Sequence, residues 1–309
     1  MNLSTQDIAK LGEIATLLEV SGYPKAGNVH RTRDFSNMTF EDFLISSACI
    51  RGPLNTVAYN GHKSYPYMLN QVGIGKCILE SVRSTHNLTH TNTNLGISML
   101  LIPICATFGA LVDENPINNL QKTLDTIIKN TETEDAVALM KAINIADAGG
   151  LDNKPQEYDV NDSNTLDEIR DNHINIYDLL KMSQDYDKIA YELVNELPVI
   201  STYGYPTYAK YEKDYSVNDV TLEVYLTILA YNTDTLINRK YGDQTAQKVS
   251  DKACEILQNS EIASSKRLKK IKEFDTYLRK NNYNPGTTAD FTAASLFVGL
   301  VDKYSITGI

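Results

Sequence analysis

An all-α fold is what this sequence predicts: a single bundle of roughly a dozen helices around a buried central helix. Three observations predict it. Apolar residues recur at helical spacing along most of the chain. No alternating run of β-branched residues persists long enough to make a strand. Capping residues and glycine stops fall where the apolar stripes begin and end. With 309 residues, 42% of them hydrophobic and 22% charged, the chain has ordinary globular composition and enough length for a substantial core. One helical domain over 1–309 is expected.

The elements follow in order. Ser4, with Asp7 three positions on, forms a capping-box variant before Ile8, Leu11, Ile14, Ala15 and Leu18, which share one helix face. Thr39 and Asp42 repeat the signal before Phe40, Phe43 and Leu44. The polar stretch 86–96 reads as a loop feeding the most apolar segment, Leu95 to Val112. That segment is shorter than the ~20 residues of a membrane span and contains Pro103, so a helix buried on all sides is expected. Asn115-Pro116 opens a helix to about Lys129, and another over 133–147 is stopped by Gly149-Gly150. Residues 151–174 are polar and aperiodic, as in a surface loop or flap. Helices resume over 176–197, pause in the Tyr/Pro-rich stretch 198–215, and continue from about 218 to 304.

Composition narrows the function. A net charge of -10 opposes general binding to nucleic acid or to an anionic membrane. Cys49, Cys77, Cys105 and Cys254 are scattered and form no metal knuckle or redox pair, as expected of free thiols in a reducing cytoplasm. The N-terminal residues show no secretory signal pattern, so a cytoplasmic location is expected. No phosphate-binding P-loop, dinucleotide fingerprint, nucleophile elbow or zinc-protease motif occurs.

Two unusual loops remain. The first runs from Glu19 to Arg31 and includes Ser21, Pro24, Lys25, Gly27 and Arg31. Glycine lets backbone N–H groups approach a ligand, and Lys and Arg supply charge to hold phosphate. Glu19 ends a helix, where the macrodipole disfavours a carboxylate unless a cation meets it. The second loop, Asn284-Pro285-Gly286-Thr287-Thr288-Ala289-Asp290, precedes an apolar helix whose free N–H groups suit a phosphate. Asp290 in that first turn complements the helix dipole or holds Mg²⁺ together with substrate phosphates. Asn92, Asn94 and Gly96 are candidates for contacts to a base or ribose. Asp234 with Asn238, followed by Arg239 and Lys240, is either a polar helix face or part of a phosphate site. The basic run 266–272 reads as a solvated helix face.

These motifs resemble those of the triphosphoribosyl-dephospho-CoA synthases, and the likeness runs over most of the chain. "EVSGYPKAGNVHR" is similar to that family's Glu-Val-Ser-x-x-Pro-Lys-x-Gly-x-Val-Asp-Arg, and "NPGTTADFTAASLF" to its Pro-Gly-Gly-Ser-Ala-Asp loop and following helix. "NTNLG" is a partial match to Asn-Thr-His-Lys-Gly. There are departures: His30 replaces an Asp, Asn94-Leu95 replaces His-Lys, and Arg33 to Met38 replaces Gly-Ser-His-x-Asp-Met. The pattern resembles a divergent archaeal-type branch.

The resemblance implies a transferase that uses ATP with Mg²⁺, displaces adenine from the ribose and attaches the triphosphoribosyl group to dephospho-CoA. It implies Glu19 and Asp290 as the catalytic carboxylates, as base or metal ligands, and the residue chemistry adds Asp234 to Glu19 and Asp290 as residues expected to meet Mg²⁺. The resemblance and the loop chemistry together make Ser21, Lys25, Gly27, Arg31, Arg239, Lys240, Asn284, Gly286, Thr287 and Thr288 the residues expected at phosphates or nucleotide, with Asn92, Asn94 and Gly96 at the nucleoside. Two alternatives stay open: a different acceptor, in methanopterin-type one-carbon coenzyme synthesis, or nucleotide binding without catalysis.

Overall fold

The computed structural model describes residues 3–146 and 164–308. Among them are fifteen α-helices and no strand. They are α1 (Thr5–Ser21), α2 (Phe40–Ser64), α3 (Ile74–Thr89), α4 (Leu95–Ala110), α5 (Leu120–Lys129), α6 (Thr133–Ala146), α7 (Thr165–Asp171) and α8 (Ile176–Ser183). Then come α9 (Lys188–Val194), α10 (Tyr205–Tyr211), α11 (Val217–Tyr231), α12 (Thr235–Tyr241), α13 (Asp243–Gln258), α14 (Ser265–Lys280) and α15 (Gly286–Thr307). The chain divides into two compact units. The first gathers Met1–Ile14, Asp42–Leu197 and Leu300–Ile309, and the second Ala15–Glu41 and Pro198–Gly299.

Local signals set most boundaries. Ser4 Oγ accepts the Asp7 N–H at 3.1 Å while Asp7 Oδ2 accepts the Ser4 N–H at 3.2 Å, the reciprocal capping box that opens α1. Asn115 Oδ1 accepts from Ile117 N and Asn118 N, but residues 116–119 form turns and α5 begins only at Leu120. Within the first unit, α4 is buried along nearly its whole length, as its uninterrupted apolar sequence requires. Backbone approaches too close for a side chain seat it: a Cβ at Gly61 would lie 2.1 Å from the Ala106 carbonyl oxygen, and one at Gly109 2.0 Å from that of Ala58.

Three expectations are corrected. Residues 86–89 belong to α3, so the polar loop before α4 is only 90–94. Within 151–174, α7 occupies Thr165–Asp171; residues 151–163, and the Gly149-Gly150 stop, lie outside the described residues. The stretch 198–215 is largely helical, a π-helical turn over Ile200–Gly204 running into α10. Its Pro206 stands in the first turn, where a missing N–H costs nothing, rather than breaking a helix. Residues 176–197 form two short helices, the second capped by Asp187.

The second unit has a core of Tyr225, Leu226, Leu229, Ile237, Val249, Phe274 and Leu278, together with Ala26 and Ala289 from the two unusual loops. Those loops are about 250 residues apart in sequence, and their apolar residues share one cluster. Among the described residues no helix is long and apolar enough to cross a membrane.

Candidate active site

The second unit contains Glu19, Ser21, Lys25, Gly27, Arg31, Asp234, Arg239, Lys240, Asn284, Gly286, Thr287, Thr288 and Asp290. Asn92, Asn94 and Gly96 belong to the first.

At its centre is an ion pair. Glu19, in the last turn of α1, and Lys25 are 1% and 0% exposed. The Lys25 ammonium donates to Glu19 Oε1 and, at 3.2 Å, to the Glu19 carbonyl oxygen. The cation that a helix-terminal carboxylate demands is therefore a lysine six residues on. Burial pushes the Glu19 carboxyl upward against the pull of Lys25. Burial pushes the Lys25 ammonium downward, while Glu19 and then Asp290 oppose that shift. Lys25 thus links the two loops electrostatically, since Asp290 lies in the first turn of α15.

The first loop is clamped by residues far away in sequence. Asn218 on α11 accepts the Tyr23 N–H at 2.9 Å, donates to the Tyr23 carbonyl at 2.8 Å and accepts from Arg31 Nη2 at 3.0 Å. Arg31 Nε donates to the Ser21 carbonyl at 2.7 Å. The Tyr225 hydroxyl donates to the Ala26 carbonyl at 2.8 Å. Asp275 on α14 accepts the Gly27 N–H at 2.9 Å and Arg279 Nε at 2.8 Å on the same oxygen. Its other oxygen stands 3.9 Å from His30 Nε2 and 3.7 Å from Arg33 Nη1. Burial alone would raise the Asp275 carboxyl, but His30, Gly27 and Arg279 outweigh it and hold the group below its ordinary range. Arg279 also donates to the carbonyls of Asn28 and Asp34, fastening both limbs of the loop.

The second loop is tied down through Asp234. As N-cap of α12, its Oδ1 accepts from Leu236 N and Ile237 N at 2.9 and 3.1 Å. Its Oδ2 accepts both the N–H and the hydroxyl of Thr288 at 2.8 Å. Burial pushes this carboxyl up, against those bonds. Four donors occupy its oxygens, so Asp234 is a helix cap rather than a vacant metal ligand. Gly286 N donates to the Asn284 carbonyl and Ala289 N to that of Pro285. Thr287 follows Gly286 in the first turn of α15. Arg239 and Lys240 stand in the last turn of α12, the end opposite Asp234.

In the first unit Asn92 Oδ1 accepts the Leu95 N–H at 3.2 Å, a start signal for α4. Asn94, 4% exposed, donates to Ser81 Oγ at 3.1 Å and Thr85 Oγ1 at 2.8 Å. Both side chains are engaged in fixing the start of α4, and Gly96 lies in its first turn.

Among the described residues no three His, Cys, Asp or Glu side chains are grouped to hold a metal by themselves. Mg²⁺ needs only one or two carboxylates when phosphates complete its shell. Asp290 stands half-buried at the start of α15, a carboxylate of the kind Mg²⁺ takes beside substrate phosphates.

The model of the ATP:dephospho-CoA triphosphoribosyl transferase (CitG) family matches residues 5–308, nearly the whole chain. The chain belongs to the ATP:dephospho-CoA triphosphoribosyl transferase family. It is accordingly a transferase. A crystal structure from Archaeoglobus fulgidus, provisionally assigned as a triphosphoribosyl-dephospho-CoA synthase, shares the fold with a TM-score of 0.63. The two are 23% identical, over 84% of this chain and 98% of that one. The search of curated proteins finds no match.

Sequence reasoning missed Asn218, Tyr225, Asp275 and Arg279. Each is an ordinary helix residue with no motif around it. The nearest signal was the amphipathic α14 itself, whose basic solvent face drew attention away from Asp275 and Arg279 on the same helix.

Proposed function

We propose that this chain performs its family's reaction, transfer of the triphosphoribosyl group of ATP to dephospho-CoA, on the two loops of the second unit. The supporting observation is the buried Glu19–Lys25 pair, whose ammonium is coupled to Asp290 across the loops. Asp290 accepts the proton of the acceptor 2′-hydroxyl as that oxygen bonds to C1′ of the ATP ribose and the bond to adenine breaks. Adenine leaves with the bonding electrons and takes up a proton, so the proton lost by the hydroxyl is balanced. Lys25 steadies the Asp290 carboxylate, and Glu19 is its buried counter-charge. Arg31 and Arg33, both exposed, face the triphosphate with the Thr287 N–H. Asp290 would be the carboxylate that holds Mg²⁺ carried in with ATP, and the ion would supply neutralisation of phosphate charge.

The test is adenine release from ATP in the presence of dephospho-CoA, by the intact chain and by Asp290→Asn. The intact chain should release adenine; Asp290→Asn should lose about a thousandfold in turnover with its helical circular dichroism unchanged. Adenine release at full rate by the variant would overturn the assignment.

A further inference from the structure

A contact between the two loops points to how adenine is recognised. Asn28 is 4% exposed, and its Nδ2 donates to Asn284 Oδ1 at 2.9 Å. Its Oδ1 is buried and has no hydrogen-bond partner among the described residues. A buried amide oxygen without a donor costs about 1–3 kcal/mol, so its persistence calls for an explanation. Asn284 is half-buried, and its Nδ2 makes no bond to the protein. Two carboxamides joined by one bond therefore keep one unused acceptor and one unused donor, side by side on the two loops. Turning both amides over exchanges the roles and leaves the same complement. The neighbouring Asn28 carbonyl is held by Arg279.

We propose that the Asn28–Asn284 pair reads the 6-aminopurine edge of a substrate, whose exocyclic N–H and ring nitrogen supply the donor and acceptor that the pair lacks. Asn–adenine recognition elsewhere uses the same complement. The inference rests on the function proposed above and specifies the residues that discriminate the base. Both substrates of that reaction carry adenine, so the shared chemistry is the aminopurine edge. A 6-oxopurine replaces the exocyclic donor with an acceptor, and on the N1 edge also the ring acceptor with a donor, and would be rejected.

Titration calorimetry on the full chain tests this, comparing ATP with inosine triphosphate and dephospho-CoA with its 6-oxopurine analogue, all with Mg²⁺. Inorganic tripolyphosphate serves as a base-free control. The unaltered chain should favour the 6-amino compound by about tenfold or more in one of the two pairs, which identifies the substrate being read. Asn28→Leu and Asn284→Ala should bring that ratio near unity. Asn284→Ala, which leaves the buried position untouched, decides alone if Asn28→Leu does not fold. A ratio near unity in the unaltered chain, or one that survives in the variants, overturns this inference alone. Failure to bind either nucleotide or tripolyphosphate overturns it together with the proposed function.

Discussion

Asp234 accepts both the N–H and the hydroxyl of Thr288 on one oxygen while its other oxygen caps α12. One buried carboxylate thereby fixes where two helices start, and with them the position of the 284–290 loop. Asp234→Ala removes four hydrogen bonds and leaves buried donors unanswered, which should cost about 2–4 kcal/mol of stability. Thr288→Val removes the hydroxyl alone and should cost about 1 kcal/mol. Denaturant unfolding of both variants measures the gap; equal costs would mean that Asp234 acts only through the hydroxyl.

The Glu19–Lys25 pair makes a second prediction about stability. Neither side chain reaches solvent, so replacing one leaves the other charge buried and unpaired. Glu19→Gln or Lys25→Met should each destabilise by about 3–5 kcal/mol. The double variant should recover much of that loss, because the uncompensated charge goes with its partner. Single costs of about 1 kcal/mol or less, the scale of an exposed pair, would argue against burial of the pair.

Both results concern residues whose importance the sequence displayed unequally. Capping at Ser4–Asp7 and the apolar run of α4 were legible because each is specified by neighbours a few residues apart. The two loops were legible for the same reason, as clusters of Gly, Pro and charge. What holds them was not. Asn218 reaches Tyr23 across 195 positions and Asp275 reaches Gly27 across 248, and no local pattern marks such partners. Asp234 was noticed as a carboxylate beside two cations, but its role as a cap depends on Thr288, 54 positions away. Asn94 was expected at a nucleoside and instead donates inward to Ser81 and Thr85, since burial and not residue type decides where an amide turns.

Asp275 should leave a signature in acid. Its carboxyl is buried, which would raise it, yet nearby His30, the Gly27 N–H and Arg279 hold it below the ordinary 3.8. The unfolded chain therefore binds this proton more readily than the folded one. The stabilisation is fully present above 3.8 and fades as pH falls through the lower folded value. Asp275→Asn should lower stability at neutral pH and flatten its decline on the acid side. Unfolding free energies of the two proteins across that range provide the check, and parallel curves would remove Asp275 as a source of the acid sensitivity.

Gly27 joins the two loops in a way that no other residue type satisfies. Its φ is +77°, and a Cβ there would lie 2.7 Å from Leu278 Cδ1 and 2.9 Å from both Pro285 Cδ and the Tyr283 carbonyl oxygen. Leu278 is fully buried, and Pro285 and Tyr283 lead into Gly286, so little around the position is able to yield. Gly27→Ala therefore has to strain the left-handed turn and push the first loop off the second, at about 1–3 kcal/mol. The displaced segment carries Lys25 on one side and Asn28 on the other, so adenine release should fall further than stability predicts. Comparing turnover at a temperature where the variant is still folded separates the two effects. Turnover equal to that of the unaltered chain would mean that contact between the loops is needed for folding and not for transfer.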